Sequence, residues 1–280
     1  MSVVHLLTGE AMPKPDPETH LLTAELERLG MAPRVLPWTA PGAGREADLV
    51  VVRTPWDYIY RCEEFLGICR AIAVPVLNPP EVLAWNSHKG YLVELADAGV
   101  PVVPTRLVPA GGGAELEAGE AAAALVVKPA VSSGSRGAGR FEAGDPAAAA
   151  HLAELVAAGD ALVQPYVASV AERGERSLIF FGGEFSHAVD KVPAAGDYRV
   201  QEMYGGRYRA HRPTGAELAA AATALAAAPA PELLYARVDL VDGDSGPEVM
   251  ELELIEPELF LGFEAAAPRR MAELIAVRPP

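Results

Sequence analysis

The stretch L125-V-V-K-P-A-V-S-S-G-S-R-G-A-G-R-F141 decides how the rest of the chain is read. Leu125, Val126 and Val127 are strand formers, and Pro129 ends the run by removing a ladder donor, so Lys128 is left at a strand terminus. Ser132, Ser133, Gly134 and Ser135 open a loop of small residues whose backbone N–H groups can approach an anion closely, and Arg136 adds a fixed positive charge. No Gly-Lys-Ser/Thr follows, and residues 139–142 read as a strand, which excludes a Walker loop and suggests a hairpin closing over a triphosphate. A plain surface hairpin fits the same composition. The choice rests on the remainder of the chain.

Upstream, apolar runs at residues 3–7, 34–38 and 47–53 alternate with helical patterns at 21–29 and 63–72, predicting a small open parallel sheet whose ligands gather at the strand carboxyl ends. Arg53, Trp56, Asp57 and Tyr58 fall at such an end. They suit a small zwitterionic substrate, or a buried Trp with an Arg and Asp pair capping the sheet. Asn86 or Ser87 is expected to cap a helix carrying Lys89 in its first turn, where a cation opposes the helix dipole unless an anion offsets it. Residues 100–108 are expected to start a new sheet, and a helix over 146–157 followed by ALVQPYV completes a small α+β lobe.

The final third has antiparallel signals: strands at 175–181 and 184–191 about a Gly-Gly turn, a polar segment over 193–213, an alanine-rich helix, then LLYARVDLV and EVMELELIEP. Residues two apart share a strand face, so Glu251 points with Glu253 and Arg237 with Asp239. Paired carboxylates repel unless a cation lies between them, and magnesium takes such oxygen ligands beside phosphates. A solvated strand face would show the same alternation.

With 23 basic against 38 acidic residues the formal charge is -15, which argues against a nucleic-acid partner held by a basic surface. The first residues resemble neither a signal peptide nor a membrane span, predicting a cytoplasmic protein without a membrane partner. Cys62 and Cys69 are read as buried free thiols. His88 and His187 are read as structural or peripheral. A nicotinamide enzyme is excluded because TGEAMPK after the first strand is no G-x-G-x-x-G loop.

In this order, Lys89, the VVKP lysine Lys128, the Ser/Gly loop, LVQPYV, the R-x-D pair and the E-x-E pair resemble the ATP-grasp superfamily across nearly the whole chain. RTPWDY, NPPEVLAWNSHKGYLVELADAGVPVVPT and the two last strands look most like its cycloserine-forming cyclo-ligase group, with glutathione synthetase and D-alanine ligase more distant. The resemblance implies an ATP-grasp fold, α/β and α+β, with a Rossmann-like parallel-sheet domain in front: 1–86 on the substrate side, 87–166 as the small lobe with the phosphate loop, and 167–280 as the lobe with the metal site. It implies an ATP-dependent carboxylate-amine ligase that forms an acylphosphate, with an inactive ATP-binding sensor as the alternative. Lys89 and Lys128 match the lysines on the ATP phosphates. Gln164, Pro165, Tyr166 and Val167 match the adenine hinge, and Glu175 an acidic position near the nucleotide or substrate. Asp239, Glu251 and Glu253 match the ligands of two magnesium ions, for which manganese is an alternative, and Arg237 the arginine that stabilises the transferring phosphoryl group. Glu253 departs from the E-x-N of many relatives. Arg199 and Arg207 are candidates for the carboxylate substrate. Small-molecule carboxylate and amine substrates and a homodimer complete the expectation.

Overall fold

The computed structural model describes residues 1–11, 16–121, 123–229 and 232–278. Part of the polar loop after the first strand, part of the alanine tract at 121–124 and the last two residues therefore lie outside the described residues.

The first sheet is built from β1 (Val3–Thr8), β2 (Ala32–Pro37), β3 (Leu49–Thr54) and β4 (Val76–Leu77), in the order β2-β1-β3-β4, every neighbouring pair parallel. All six residues of β3 are buried, as expected for a parallel strand covered on both faces. Helices α1 (Thr19–Arg28) and α2 (Cys62–Ala71) complete the βαβ units.

Two short helices follow, α3 (Pro80–Asn86) and α4 (Tyr91–Asp97), where one helix capped at Asn86 or Ser87 was expected. Lys89 lies in the turn between them and not in a first helical turn. Asn86 ends α3, and its side chain is spent on strand backbone far along the chain: Nδ2 donates to Leu252 O at 2.8 Å and Oδ1 accepts from Leu254 N at 2.8 Å. The new sheet begins only at β5 (Arg106–Val108), because residues 101–103 instead exchange backbone hydrogen bonds with Val249 of the last sheet.

After α5 (Ala118–Ala121) come β6 (Leu125–Pro129), β7 (Gly139–Phe141), α6 (Ala147–Ala158) and β8 (Ala161–Pro165), forming an antiparallel sheet in the order β5-β8-β6-β7. Then α7 (Ser169–Arg173) leads into β9 (Glu175–Phe181), β10 (Glu184–Val192), β11 (Arg207–His211), α8 (Gly215–Ala226), β12 (Tyr235–Gly243) and β13 (Gly246–Glu253). These strands form an antiparallel sheet, β11-β10-β9-β12-β13. β11 emerges from the segment read only as polar: it is an edge strand with two arginines and a histidine, so it lacks the apolar alternation that marks a strand in sequence.

The chain closes with α9 (Ala267–Ala276), which packs on α1. Val4, Leu22 and Leu26 of the first sheet region thereby share one core with Phe181, Leu259, Met271 and Ile275. Among the described residues no helix is long and apolar enough to cross a membrane.

Candidate active site

β6 carries Lys128 to the rim of a cleft between the two antiparallel sheets, and the turn bearing Lys89 is tied to the end of that strand by Lys89 N donating to Ala130 O at 2.7 Å. The two lysines thus approach from separate elements. Burial, with the nearby Lys89 charge, holds Lys128 below its ordinary pKa. Burial works against Lys89 as well, but the hydrogen-bonded Glu251 carboxylate raises it.

Opposite stand the paired strands. Asp239 faces Glu251 and Arg237 faces Glu253 in the β12–β13 register, with a bulge just after Asp239. One oxygen each from Asp239, Glu251 and Glu253 lie within 4.8 Å of one another, so the three carboxylates named by the resemblance stand together. Three carboxylates at that separation repel, and the protein offsets them with fixed cations. Arg237 donates to Asp239 at 3.0 and 2.9 Å and also to Glu253, while Lys191 Nζ reaches Asp239 at 2.8 Å and Glu175 at 3.0 Å. Burial opposes ionisation of Asp239, yet Arg237 and Lys191 hold its carboxyl well below the usual range. Glu253 goes the other way: burial, reinforced by Glu251 and Asp239, pushes it up to about 7 against the pull of Arg237. An oxygen-only donor set with surplus negative charge fits a hard divalent cation better than a transition metal seeking nitrogen or sulfur.

Ser132, Ser133, Gly134 and Ser135 line the same cleft, with Gly134 at φ 59°, Ser135 at φ 60° and Gly137 at φ 72°. Gly137 is sterically required, because a Cβ there would sit 2.8 Å from the Pro129 ring, on top of its left-handed backbone. The loop is clasped from across the cleft. Gln201 Nε2 donates to Ser135 Oγ at 3.0 Å, Tyr198 Oη to Ala138 O at 3.2 Å and Tyr204 Oη to Gly134 O at 3.4 Å. Gln164, Pro165, Tyr166 and Val167 form the connecting wall at the end of β8; Gln164 is fixed by donating to Thr105 Oγ1 at 2.8 Å.

The remaining sequence candidates separate. Trp56, Tyr58, Glu175 and Arg199 line the cleft, Arg199 paired with Asp197 and stacked 3.7 Å over Tyr204. Arg53 does not: it is fully buried, pairs with Glu18 at 3.3 Å and lies over Tyr235. Asp57 also serves the fold, accepting from Trp38 Nε1 at 2.8 Å and from the backbone of Glu10 and Ala11. The expected four-residue zwitterion site is therefore corrected to its two aromatics, since the guanidinium and carboxylate are used to cap the sheet, each with other partners. Arg207 sits exposed on edge strand β11 away from the cleft, so it too is withdrawn as a substrate contact. His187 bridges to Leu259 O and Phe260 O, and His88 pairs with Asp160, in keeping with structural roles.

Lys191 and Glu256 are among the cleft residues that were missed. Lys191 lay in a strand read for its alternation alone, although a lysine at the apolar end of VDKV was the available signal. Glu256 follows the E-x-E pair on an irregular segment where period-two reasoning stops. Burial and the Glu253 charge push it up to about 8.

Residues 102–258 match the model of the prokaryotic glutathione synthetase ATP-grasp domain, and residues 4–78 that of the D-cycloserine synthetase DcsG N-terminal domain. The chain belongs to the ATP-grasp superfamily. This ATP-grasp ligase is 36% identical over 251 residues to the cycloserine biosynthesis protein DcsG of Streptomyces lavendulae, covering 82% of this chain and 83% of that protein. The crystal structure of D-cycloserine synthetase DcsG superposes with a TM-score of 0.89 at 32% identity, over 98% of this chain and 99% of that one. D-alanine--D-alanine ligase from Bacillus anthracis shares the ATP-grasp fold, with a TM-score of 0.70 at 14% identity over 99% and 96% of the two chains. An ATP-dependent carboxylate-amine ligase is thus favoured over an inactive nucleotide-binding relative.

Proposed function

We propose that this ligase uses ATP to activate the carboxylate of a small amino-acid-like substrate as an acylphosphate and closes it onto a nitrogen of the same molecule. The observation that carries this is the convergence in one cleft of Lys89, Lys128 and Arg237 with the Asp239, Glu251 and Glu253 oxygens. The intramolecular form of the reaction is supported by likeness to DcsG along nearly the whole structure.

In this reading the ATP phosphates lie under the loop of Ser132, Ser133, Gly134 and Ser135, and adenine lies against Gln164, Pro165, Tyr166 and Val167. Asp239, Glu251 and Glu253 would hold magnesium, two ions or manganese in their stead, which when bound neutralises phosphoryl charge and orients the leaving group. A carboxylate oxygen attacks the γ-phosphorus in line as the bond to the β-phosphate oxygen breaks, releasing ADP. Lys89 and Arg237 are held by Glu251, Asp239 and Glu253 before the reaction begins, so with Lys128 they stabilise the spreading negative charge at little cost in reorganisation. The substrate nitrogen then attacks the acyl carbon, its proton is lost, and inorganic phosphate leaves. The clasped glycine loop keeps water from the acylphosphate. The reading is completed by a cytoplasmic homodimer acting on small molecules, with no nucleic-acid or membrane partner; light scattering tests the oligomer.

The decisive assay is magnesium-dependent ADP release against pools of amino acids, dipeptides and ureido or aminooxy amino acids, with product mass determined. Release with one pool, lost in Lys128→Ala and Glu251→Ala, supports the ligase. A product built from a single substrate molecule, with or without its carbamoyl group, identifies ring closure, and a product combining two substrates rejects it.

A further inference from the structure

Most buried ionisable groups of the cleft have a partner: Lys191 with Asp239, Lys89 with Glu251, Arg237 with Glu253. Among the described residues Lys128, given to the ATP phosphates above, has none, and neither does Glu256. It is 8% exposed and lines the cleft, yet among the described residues no hydrogen bond or ion pair reaches its carboxylate. A buried carboxylate without a partner is costly, and a protein that holds one rigidly in a ligand cleft has left it for a ligand to satisfy.

Rigidity here comes from the backbone on either side. Leu254 O accepts from Asn78 Nδ2 at 2.9 Å, Ile255 O from Tyr235 Oη at 2.8 Å, Glu256 O from Trp56 Nε1 at 3.0 Å and Glu258 O from Arg237 Nη1 at 3.1 Å. These carbonyls are pinned, so the backbone holds Glu256 at the cleft wall. Trp56 and Tyr58 line the cleft with it. A carboxylate flanked by aromatic rings selects a cationic group, by direct pairing and by the ring quadrupoles.

We propose that Glu256 receives the ammonium group of the substrate and sets selectivity against the same acid without its amine. The inference rests on the ligase reading above. With the ammonium at Glu256, the carboxylate of the same molecule is directed toward the cations Lys89 and Arg237, which share the cleft.

The test is titration calorimetry in saturating ADP and magnesium, with O-ureidoserine and its desamino analogue 3-(ureidooxy)propanoate as probes. The wild type is expected to prefer the amino compound by about tenfold or more, the worth of one charge-assisted hydrogen bond. In Glu256→Gln the two compounds should bind within about twofold of each other, while ADP affinity holds and Glu256→Asp retains part of the preference. Equal binding by the wild type, or an undiminished preference in Glu256→Gln, overturns the assignment. So does a loss of ADP–magnesium affinity with the preference intact, which would make Glu256 a metal ligand. Failure of the ligase reading itself is seen separately, as no ADP release with any pool.

Discussion

Lys191 neutralises two carboxylates at once, Asp239 and Glu175, with all three largely buried. Removing one partner of such a buried group leaves uncompensated charge, so Lys191→Ala is expected to cost about 3 to 5 kcal/mol in urea unfolding of the metal-free protein. Added magnesium should restore part of that loss if Asp239 is a metal ligand, because the ion then supplies the missing positive charge. Glu18 offers a pH test remote from the chemistry. Burial raises its carboxyl to about 7 despite Arg53 and the Leu259 and Leu261 amides. The folded state therefore binds the proton more tightly than the unfolded chain. The stability this confers is full below the unfolded value of 4.5 and is lost as pH rises through about 7. Between pH 4.5 and 7 the wild type should lose about 1 to 3 kcal/mol relative to Glu18→Gln in parallel denaturant titrations. At this scale the sequence was most legible where chemistry repeats with strand period: Arg237, Asp239, Glu251 and Glu253 share their faces as read. It was least legible where a charged residue serves the fold. Nothing local to Arg53 or Asp57 distinguishes a substrate ligand from a sheet cap, because their partners, Glu18 and Trp38, lie far away in sequence.

Among the elements, the glycine loop depends on backbone shape more than on side chains. Gly137→Ala would add a left-handed alanine and a contact with Pro129. The strain is expected to cost about 1 to 2 kcal/mol in urea unfolding, and ATP affinity to fall by about tenfold as the loop shifts from its left-handed shape. Gln201→Ala tests the clasp, which joins the loop to the segment before β11. It should raise futile ATP hydrolysis relative to product formation at saturating substrate, measured as the ratio of ADP to ligated product, because a looser loop admits water. This clasp was hidden from sequence reasoning, since hydrogen bonds from Tyr198, Gln201 and Tyr204 into a loop some sixty residues earlier leave no periodic trace. Lys89 shows the opposite limit. It lies in the cleft beside Glu251, yet the helix start from which it was argued is absent, because the chain breaks into α3 and α4 around it and the dipole argument no longer applies.

At the scale of the molecule, the three sheets follow the order legible in the hydrophobic patterns, parallel first and antiparallel after. The sequence reading passed over α9, although Met271, Ala272 and Ile275 at helical spacing are all buried. Their counterparts Leu22 and Leu26 lie at the other end of the chain. Deleting residues 267–278 should remove several kcal/mol, at about 1.5 to 3 kcal/mol for each large apolar side chain stripped of its cover, and lower the thermal midpoint of the whole protein in calorimetry. A shared core also orders events during synthesis. The ribosome makes α1 well before α9, so the apolar stripe of α1 must wait for the residues between them to be translated, on the order of ten to fifty seconds at ~5–20 residues per second. The nascent protein therefore carries a partly uncovered hydrophobic face throughout that interval, which makes it a client for chaperones that shield chains at the ribosome exit.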